Sequence, residues 1–195
     1  MTYGRPREFD IDRALEAATQ QFWSVGYEAS SLQNLLQAMS LSKSSLYQTF
    51  GNKHELFILC LGHYQKKIVD ELNLKLDNSS SAKQFFQDFL EGIIAEADST
   101  DVKKGCFLVN AANELCQRDD LVSEAVARAT NDLAGVFRRA IEQGKHQNEF
   151  SSAIPTDGLV DYMMTSVSGL RTMIKGGAAR DTLNPVINLI MRTFA

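Results

Sequence analysis

Apolar residues recur at intervals of three and four positions along almost the whole chain, a spacing that is typical of amphipathic helices. No segment alternates apolar and polar residues between turn signals, so we expect no sheet. The pattern predicts an all-α protein of about nine helices. The expected ranges are about 10–25, 31–39, 43–50, a long helix from 53 to a break at 78–81, and then 82–98, 105–117, 119–144, 156–175 and 181–194.

Polar residues at the starts of the early helices support these boundaries. Ser30 and Ser31 offer hydroxyls that can cap the second helix, and Ser42 can cap the third. Asn52, followed three residues later by Glu55, resembles a capping box that would start the long fourth helix.

Two short helices after a longer supporting helix have the sequence shape of a helix-turn-helix, which is a DNA-binding unit. Leu46 and Phe50 are spaced to anchor the second short helix against the protein. The positions left facing outward are Lys43, Ser44, Ser45, Tyr47, Gln48 and Thr49. Such a polar, acid-free face suits a major groove, where hydroxyls and lysine contact phosphates while lysine and glutamine read base edges. The alternative is a polar helical hairpin with no role in DNA binding.

The distribution of charge favours DNA binding, although the net charge is −4. The whole negative excess lies in residues 55–195, and no acidic residue occurs from Ala29 to His54. Lys53 opens the fourth helix, whose free N–H groups can also bind a phosphate. Arg5 and Arg7 form an N-terminal arm that can add phosphate or minor-groove contacts. The first part of the chain is therefore suited to a polyanion.

Residues 5–64 resemble the N-terminal domain of the TetR family of transcription repressors. The matching residues are Gly26-Tyr27, Ser30-Ser31-Leu32, Leu41-Ser42-Lys43-Ser44-Ser45-Leu46-Tyr47, Phe50, Asn52-Lys53, Glu55 and Leu56. The resemblance implies a helix-turn-helix domain at 1–52, a helical ligand-binding and dimerisation domain at 53–195, and a homodimer that binds palindromic double-stranded DNA. One departure is Ser40, which stands where the family usually has glycine in the turn, and a left-handed serine costs about 1 kcal/mol more.

The same resemblance implies roles for individual residues. The segment from Ser42 to Thr49 would enter the major groove. The phosphate contacts would be Ser31, Tyr47 and Lys53. The residues facing bases or backbone would be Lys43, Ser44, Ser45 and Gln48. The resemblance further implies a repressor that an inducer releases from its operator; the alternative is an activator.

A polar stripe marks the sixth predicted helix, which is otherwise apolar. Cys106, Asn110, Asn113 and Gln117 fall on one face of it. Such a stripe can line a pocket, but it can equally face solvent or bond to a neighbouring helix. Tyr64 and Phe107 belong to a set of aromatic residues that can wall a ligand cavity, although aromatics at helical spacing are more often plain core.

The segment from Gly105 to Cys116 also resembles the branch of TetR regulators that includes the NemR-like repressors of electrophile-detoxifying genes. A position near a helix N-terminus favours a reactive thiol, and Lys175 can approach Cys106 from a neighbouring helix. Cys106 is therefore a candidate sensor of oxidants or alkylating molecules. The alternative is a structural cysteine, with a reversible ligand as the signal. Cys60, like Cys116, sits among apolar positions and is predicted to be core.

The last two helices are apolar on wide faces. Their apolar residues are Leu159, Val160, Met163, Met164, Val167, Leu170 and Ile174, followed by Leu183, Val186, Ile187, Ile190, Met191 and Phe194. Paired with a second copy, they could form a four-helix interface; the alternative is the core of a single protomer. A palindromic operator needs two recognition helices about 34–36 Å apart, which favours the dimer.

Other classes of protein find little support. No apolar run is long enough for a membrane span, and no secretory signal is evident at the start, so we expect a cytoplasmic protein. The cysteines and histidines lack metal-ligand spacing, and no glycine-rich phosphate loop or paired carboxylates occur, so we expect neither metal nor cofactor. An enzyme would depend on Cys106 alone, as a thiol-dependent transferase. An interaction module that has lost DNA binding is disfavoured by the intact Ser42–Phe50 segment.

Overall fold

The computed structural model describes residues 9–98 and 104–194. Within these ranges it contains nine α-helices and no strand, which confirms the all-α prediction. The helices are α1 (Ile11–Val25), α2 (Leu32–Met39), α3 (Lys43–Phe50), α4 (Lys53–Asn78), α5 (Ala82–Ala95), α6 (Phe107–Leu115), α7 (Asp120–His146), α8 (Thr156–Lys175) and α9 (Arg180–Thr193). A 3₁₀ turn, Glu96–Asp98, follows α5. No helix among the described residues is long and apolar enough to cross a lipid bilayer.

Side-chain caps set the starts of the early helices, as the sequence predicts. Ser31 accepts a hydrogen bond from the Asn34 amide at the start of α2. Asn52 and Glu55 form a complete capping box at the start of α4. Ser30 is not a cap, because its side chain is buried and its hydroxyl donates to the Gly26 carbonyl at 2.7 Å.

The turn between α2 and α3 is the left-handed one that the helix-turn-helix requires. Ser40 has φ 54° and ψ 41°, so this serine adopts the conformation usually given to glycine. Its backbone N–H donates back to the last turn of α2. Ser40 therefore bears the conformational cost of about 1 kcal/mol that is expected when a residue other than glycine is left-handed.

One hydrophobic cluster joins the first three helices to the regulatory part of the chain. It contains Phe22, Leu46 and Phe50, together with Phe57 of α4 and Phe107 of α6. The cluster crosses the predicted domain boundary between residues 52 and 53, and that boundary stays a prediction. Because the same apolar contacts continue through α4, α6 and α7, the helix-turn-helix is held directly by the helices that carry the second domain.

A second cluster packs α5, α7, α8 and α9 around Phe86, which contacts the rings of Phe137, Phe150 and Phe194. It also contains most apolar residues of α8 and α9, so these faces are buried within one protomer. These residues therefore follow the alternative of a protomer core, and pairing of α8 and α9 with a second copy stays a prediction. The outer face of α8 carries small residues instead, and added Cβ atoms at Gly158 and Gly169 would meet nothing within 4 Å.

Candidate nucleic-acid interface and regulatory cavity

The third helix presents the exposed polar face predicted for a recognition helix. Leu46 and Phe50 are buried and fix α3 against the cluster below it. Tyr47 is 45% exposed, although it is a large aromatic residue. The other exposed residues of this face are Ser42, Lys43, Ser44 and Gln48, while Ser45 and Thr49 are half-buried. The polar face of α3 is therefore free to enter the major groove of DNA, which is wide enough to admit an α-helix.

Hydrogen bonds rigidify the start of α3. The Ser42 hydroxyl accepts from the Ser45 amide at 3.1 Å and lies 2.9 Å from the Ser45 hydroxyl. The Lys43 ammonium lies 5.9 Å from the centre of the Tyr47 ring. The Lys43 ammonium and the Tyr47 ring therefore lie side by side on this face.

The start of α4 presents a second cation beside this face. The Lys53 ammonium lies 4.3 Å from the centre of the Tyr27 ring, a cation–π geometry. Tyr27 in turn packs edge-on against Phe57 at 4.9 Å between ring centres. Lys53 is thus oriented by a ring that is itself held by the core. Arg5 and Arg7, the remaining predicted DNA contacts, lie outside the described residues.

A small cavity of about 90 Å³ lies between α4, α5, α6, α7 and α8. Its apolar lining comprises Ile68, Val69, Leu72, Phe89, Leu108, Val109, Ala129, Leu133, Met164 and Val167. Its polar lining comprises Tyr64, Gln65, Cys106, Thr130, Ser168 and Arg171. An apolar chamber with a few convergent polar groups is typical of a ligand site.

Three of the polar groups are electrostatic neighbours. Burial raises the pKa of the Tyr64 hydroxyl above its ordinary value; the Cys106 thiol adds to this rise, and the Arg171 guanidinium opposes it. Arg171 is also ion-paired with Glu96 at 2.7 Å. The cavity therefore combines a neutral hydroxyl donor, a guanidinium and a thiol.

Tyr64 and Cys106 line the cavity, but the remaining predicted sensor residues do not. Phe107 is buried between the rings of Phe57 and Tyr64. Asn110 bridges the Lys104 carbonyl and the Lys175 ammonium, each at 2.7 Å, so Lys175 does approach the start of α6 as predicted. Asn113, by contrast, is exposed. Of the polar stripe on α6, Cys106 alone is among the lining residues.

Sequence reasoning missed Arg171, which is the only arginine or lysine among the described residues that line the cavity. A signal was present, because Val160, Met164, Val167 and Arg171 follow helical spacing and so place one charge on an apolar face.

The three free cysteines differ in how deeply they are buried. Cys60 is buried, which raises the pKa of its thiol to about 12, whereas Cys106 is half-buried at the cavity wall. Cys116 is half-buried as well, so its predicted place in the core is only partly realised.

No group of His, Cys, Asp or Glu side chains that could hold a metal ion occurs within the described ranges.

Comparison with known proteins identifies the family. Residues 14–60 match the family model for bacterial regulatory proteins of the tetR family, and residues 84–188 match the model for the tetracyclin repressor-like C-terminal domain. The chain belongs to the TetR family. The second match spans more than half of the chain, and the two matches together include the helix-turn-helix and four of the five helices around the cavity, namely most of α5 and all of α6, α7 and α8.

Several TetR-family relatives extend over almost the whole length of this chain. It is 30% identical to the uncharacterised HTH-type transcriptional regulator YezE of Bacillus subtilis, over 95% of this chain and 96% of that protein. It is 27% identical to the HTH-type transcriptional repressor ComR of Escherichia coli, over 97% and 90%. These relatives support the assignment of the chain as a transcriptional regulator.

Solved structures agree with the fold. A cysteine-substituted form of the TetR regulator CifR, complexed with 26-base-pair operator DNA, is 29% identical and superposes with a TM-score of 0.84, covering 98% of this chain and all of that one. The reduced form of NemR from Escherichia coli also superposes with a TM-score of 0.84, over 94% and 97%, at 15% identity. The second likeness shows a shared fold.

Proposed function

We propose that the protein is a cytoplasmic repressor that binds a palindromic operator as a homodimer and leaves it when a signal reaches the cavity beside α6. The observation that carries the DNA-binding part is the exposed, acid-free face of α3 on its buried anchors Leu46 and Phe50. Operator-bound CifR, which has the same fold, supports the same docking mode. The protein acts by binding and release, without catalytic turnover.

We assign the DNA contacts by chemistry. Tyr47 and Lys53 would bind phosphates, as would Ser31 at the start of α2. Lys43 and Gln48 carry the groups best suited to base edges. The hydroxyls of Ser42, Ser44, Ser45 and Thr49 complete the face, with Arg5 and Arg7 on the adjoining arm.

The experiment is selection of binding sequences by the purified protein from a random pool of 26-base-pair duplexes, followed by titration of the enriched duplex. We expect an enriched palindrome and at least tenfold weaker binding by Tyr47→Ala. The control is Lys83→Ala, which removes a lysine in the first turn of α5, outside the helix-turn-helix. If Tyr47→Ala binds with the wild-type Kd, α3 is not the recognition helix.

The dimer would bury the outer faces of α8 and α9. Met173 of α8 and Leu189 of α9 are 43% and 60% exposed, and the open Gly158 and Gly169 positions allow another helix to approach closely. Sedimentation at micromolar concentration is expected to give twice the protomer mass. Gly169→Trp should produce monomers with weakened operator binding, whereas a wild-type monomer that binds the palindrome at full affinity would contradict this part.

The signal would be received at Cys106 in the cavity. A molecule with an apolar body and an acceptor oxygen fits the chemistry of the lining, since Tyr64 and Arg171 can donate to that oxygen.

N-ethylmaleimide is a direct probe of a covalent signal. In the addition, the Cys106 sulfur bonds to one alkene carbon, the π electrons move to the other, and that carbon takes up the thiol proton. We expect operator release by wild type and no release by Cys106→Ser. If Cys106→Ser is released equally, Cys106 is not the sensor and another thiol, such as Cys116, is the group that reacts. If the reagent releases neither protein, sensing by a thiol is excluded, and a reversible ligand of the same cavity becomes the better candidate.

A further inference from the structure

The sixth helix is a short rod that touches both the cavity and the helix-turn-helix. It has nine residues and is therefore about 13 Å long. Its first turn contributes Leu108 and Val109 to the cavity, and its N-cap is Cys106. A displacement of the first turn must move the last turn as well, since so short a helix has no internal hinge.

The N-terminal end of α6 is bonded to α1. The Trp23 indole N–H donates to the Gly105 carbonyl at 3.0 Å, directly before Cys106. The Lys104 ammonium lies 5.6 Å from the centre of the Trp23 ring, and the Tyr64 ring packs edge-on at 5.1 Å. A helix of the DNA-binding domain therefore contacts the residue adjacent to the candidate sensor.

The C-terminal end of α6 is hydrogen-bonded to the loop between α1 and α2. The two carboxylate oxygens of Glu114 accept separately from the backbone N–H groups of Tyr27 and Glu28, each at 2.9 Å. Gly26 makes this approach possible, because a Cβ there would lie 2.9 Å from Glu114 Oε2. Charge-assisted bonds to two consecutive amides fix the loop in position and orientation.

The same loop continues into the DNA-facing surface. The Tyr27 ring lies beneath the Lys53 ammonium and beside His54, so a shift of the Tyr27 backbone displaces the cation at the start of α4. His54 is itself bonded to Asp119 at 2.7 Å, at the start of α7. Tyr27 is therefore the single residue between Glu114 and Lys53, which is a candidate phosphate contact.

We propose that Glu114 is a positioning residue for operator binding, and that the Trp23–Gly105 bond is the second point through which the state of the cavity reaches the helix-turn-helix. The inference rests on the proposed operator-binding function. We call these contacts the clamp: the hydrogen bonds from Tyr27 and Glu28 to Glu114 and from Trp23 to Gly105. By linkage, a change that weakens the clamp weakens operator binding, and operator binding strengthens the clamp.

The first test compares full-length variants on the duplex selected by wild type. Glu114→Ala removes both acceptors, and we expect at least tenfold weaker binding at a temperature where the variant is folded. Glu114→Gln keeps one acceptor but turns an amide N–H₂ toward the other donor, so we expect an intermediate loss. Glu124→Ala, which removes an exposed glutamate paired with Arg128 on α7, is the control and should bind within twofold of wild type.

The second test needs no substitution and detects a role beyond stability. Amide hydrogen exchange at Tyr27 and Glu28 should slow when wild type binds the selected duplex, and should not respond to a scrambled duplex. Trp23 is the only tryptophan, so its emission reports on the α1–α6 junction. We expect the duplex to change that emission in wild type and to change it less in Glu114→Ala.

The outcomes separate the two ideas. If wild type selects no DNA, the proposed function fails. If wild type selects DNA and Glu114→Ala binds it within twofold, with exchange at Tyr27 and Glu28 indifferent to DNA, the clamp is refuted and the operator-binding function stands. Should Glu114→Ala fail to fold, Glu114→Gln and the exchange measurement decide the question alone.

Discussion

Replacement of Gly51 by alanine should destabilise the junction between the recognition helix and α4. Gly51 ends α3 with φ 75° and ψ −142°, a backbone region that is essentially restricted to glycine. A side chain forced into this region costs about 1–3 kcal/mol. The strain is placed directly behind the proposed DNA-binding face.

A steric conflict adds to that strain. A Cβ on residue 51 would lie 1.9 Å from Oε2 of Glu55 and 2.8 Å from its Cδ. The same Oε2 accepts a hydrogen bond from the Asn52 amide at 2.8 Å, which completes the capping box of α4. Because Glu55 must swing away, this bond is lost, at a further cost of about 0.5–1.5 kcal/mol. The expected total is about 1.5–4.5 kcal/mol.

The assay is urea unfolding at fixed protomer concentration, since the stability of a dimer depends on concentration. Gly62→Ala is the matched control: it lies in the middle of α4, and an added Cβ there would meet nothing within 4 Å. Alanine should stabilise that helix by about 0.5–1 kcal/mol. The two Gly-to-Ala changes should thus have opposite signs. If Gly51→Ala is as stable as wild type, the strain and clash are not real features of the folded protein.

Three further changes give independent checks. Lys53→Ala should weaken operator binding and lower the slope of log K against log salt by about one unit, and a slope equal to that of Lys83→Ala would exclude a phosphate contact. Burial, reinforced by Glu16, raises the pKa of Cys60 from 9.0 to about 12, so unfolding releases a proton above pH 9. Stability should therefore fall from pH 9 toward 12 in wild type but less in Cys60→Ser, and parallel curves would contradict this assignment. Phe86→Ala should cost about 3–5 kcal/mol in urea unfolding, because the ring is fully buried among aromatic neighbours; a loss below about 1 kcal/mol would show that the core collapses around the gap.

The sequence by itself determined the helices and most of their ends. Periodic apolar spacing and capping side chains act within a few residues, so Ser31, Ser42 and the Asn52–Glu55 pair could be recognised without any knowledge of packing. The anchors Leu46 and Phe50 followed from the same spacing. Near α6 the pattern was less exact: the helix begins at Phe107, where a start near residue 105 was predicted.

The tertiary structure decided what each helix face meets. Helical spacing places Cys106 and Asn113 on one side of α6, but the neighbouring helices leave Asn113 in solvent and bring Cys106 beside Tyr64 and Arg171. Likewise, the sequence left open whether the apolar faces of α8 and α9 form a dimer interface or the core of one protomer, and the packing places them in the protomer core. The Glu114 contact joins residues more than 80 positions apart. Such pairings depend on the angles and distances at which helices pack, and those are set by side-chain shapes across the whole molecule rather than by local pattern.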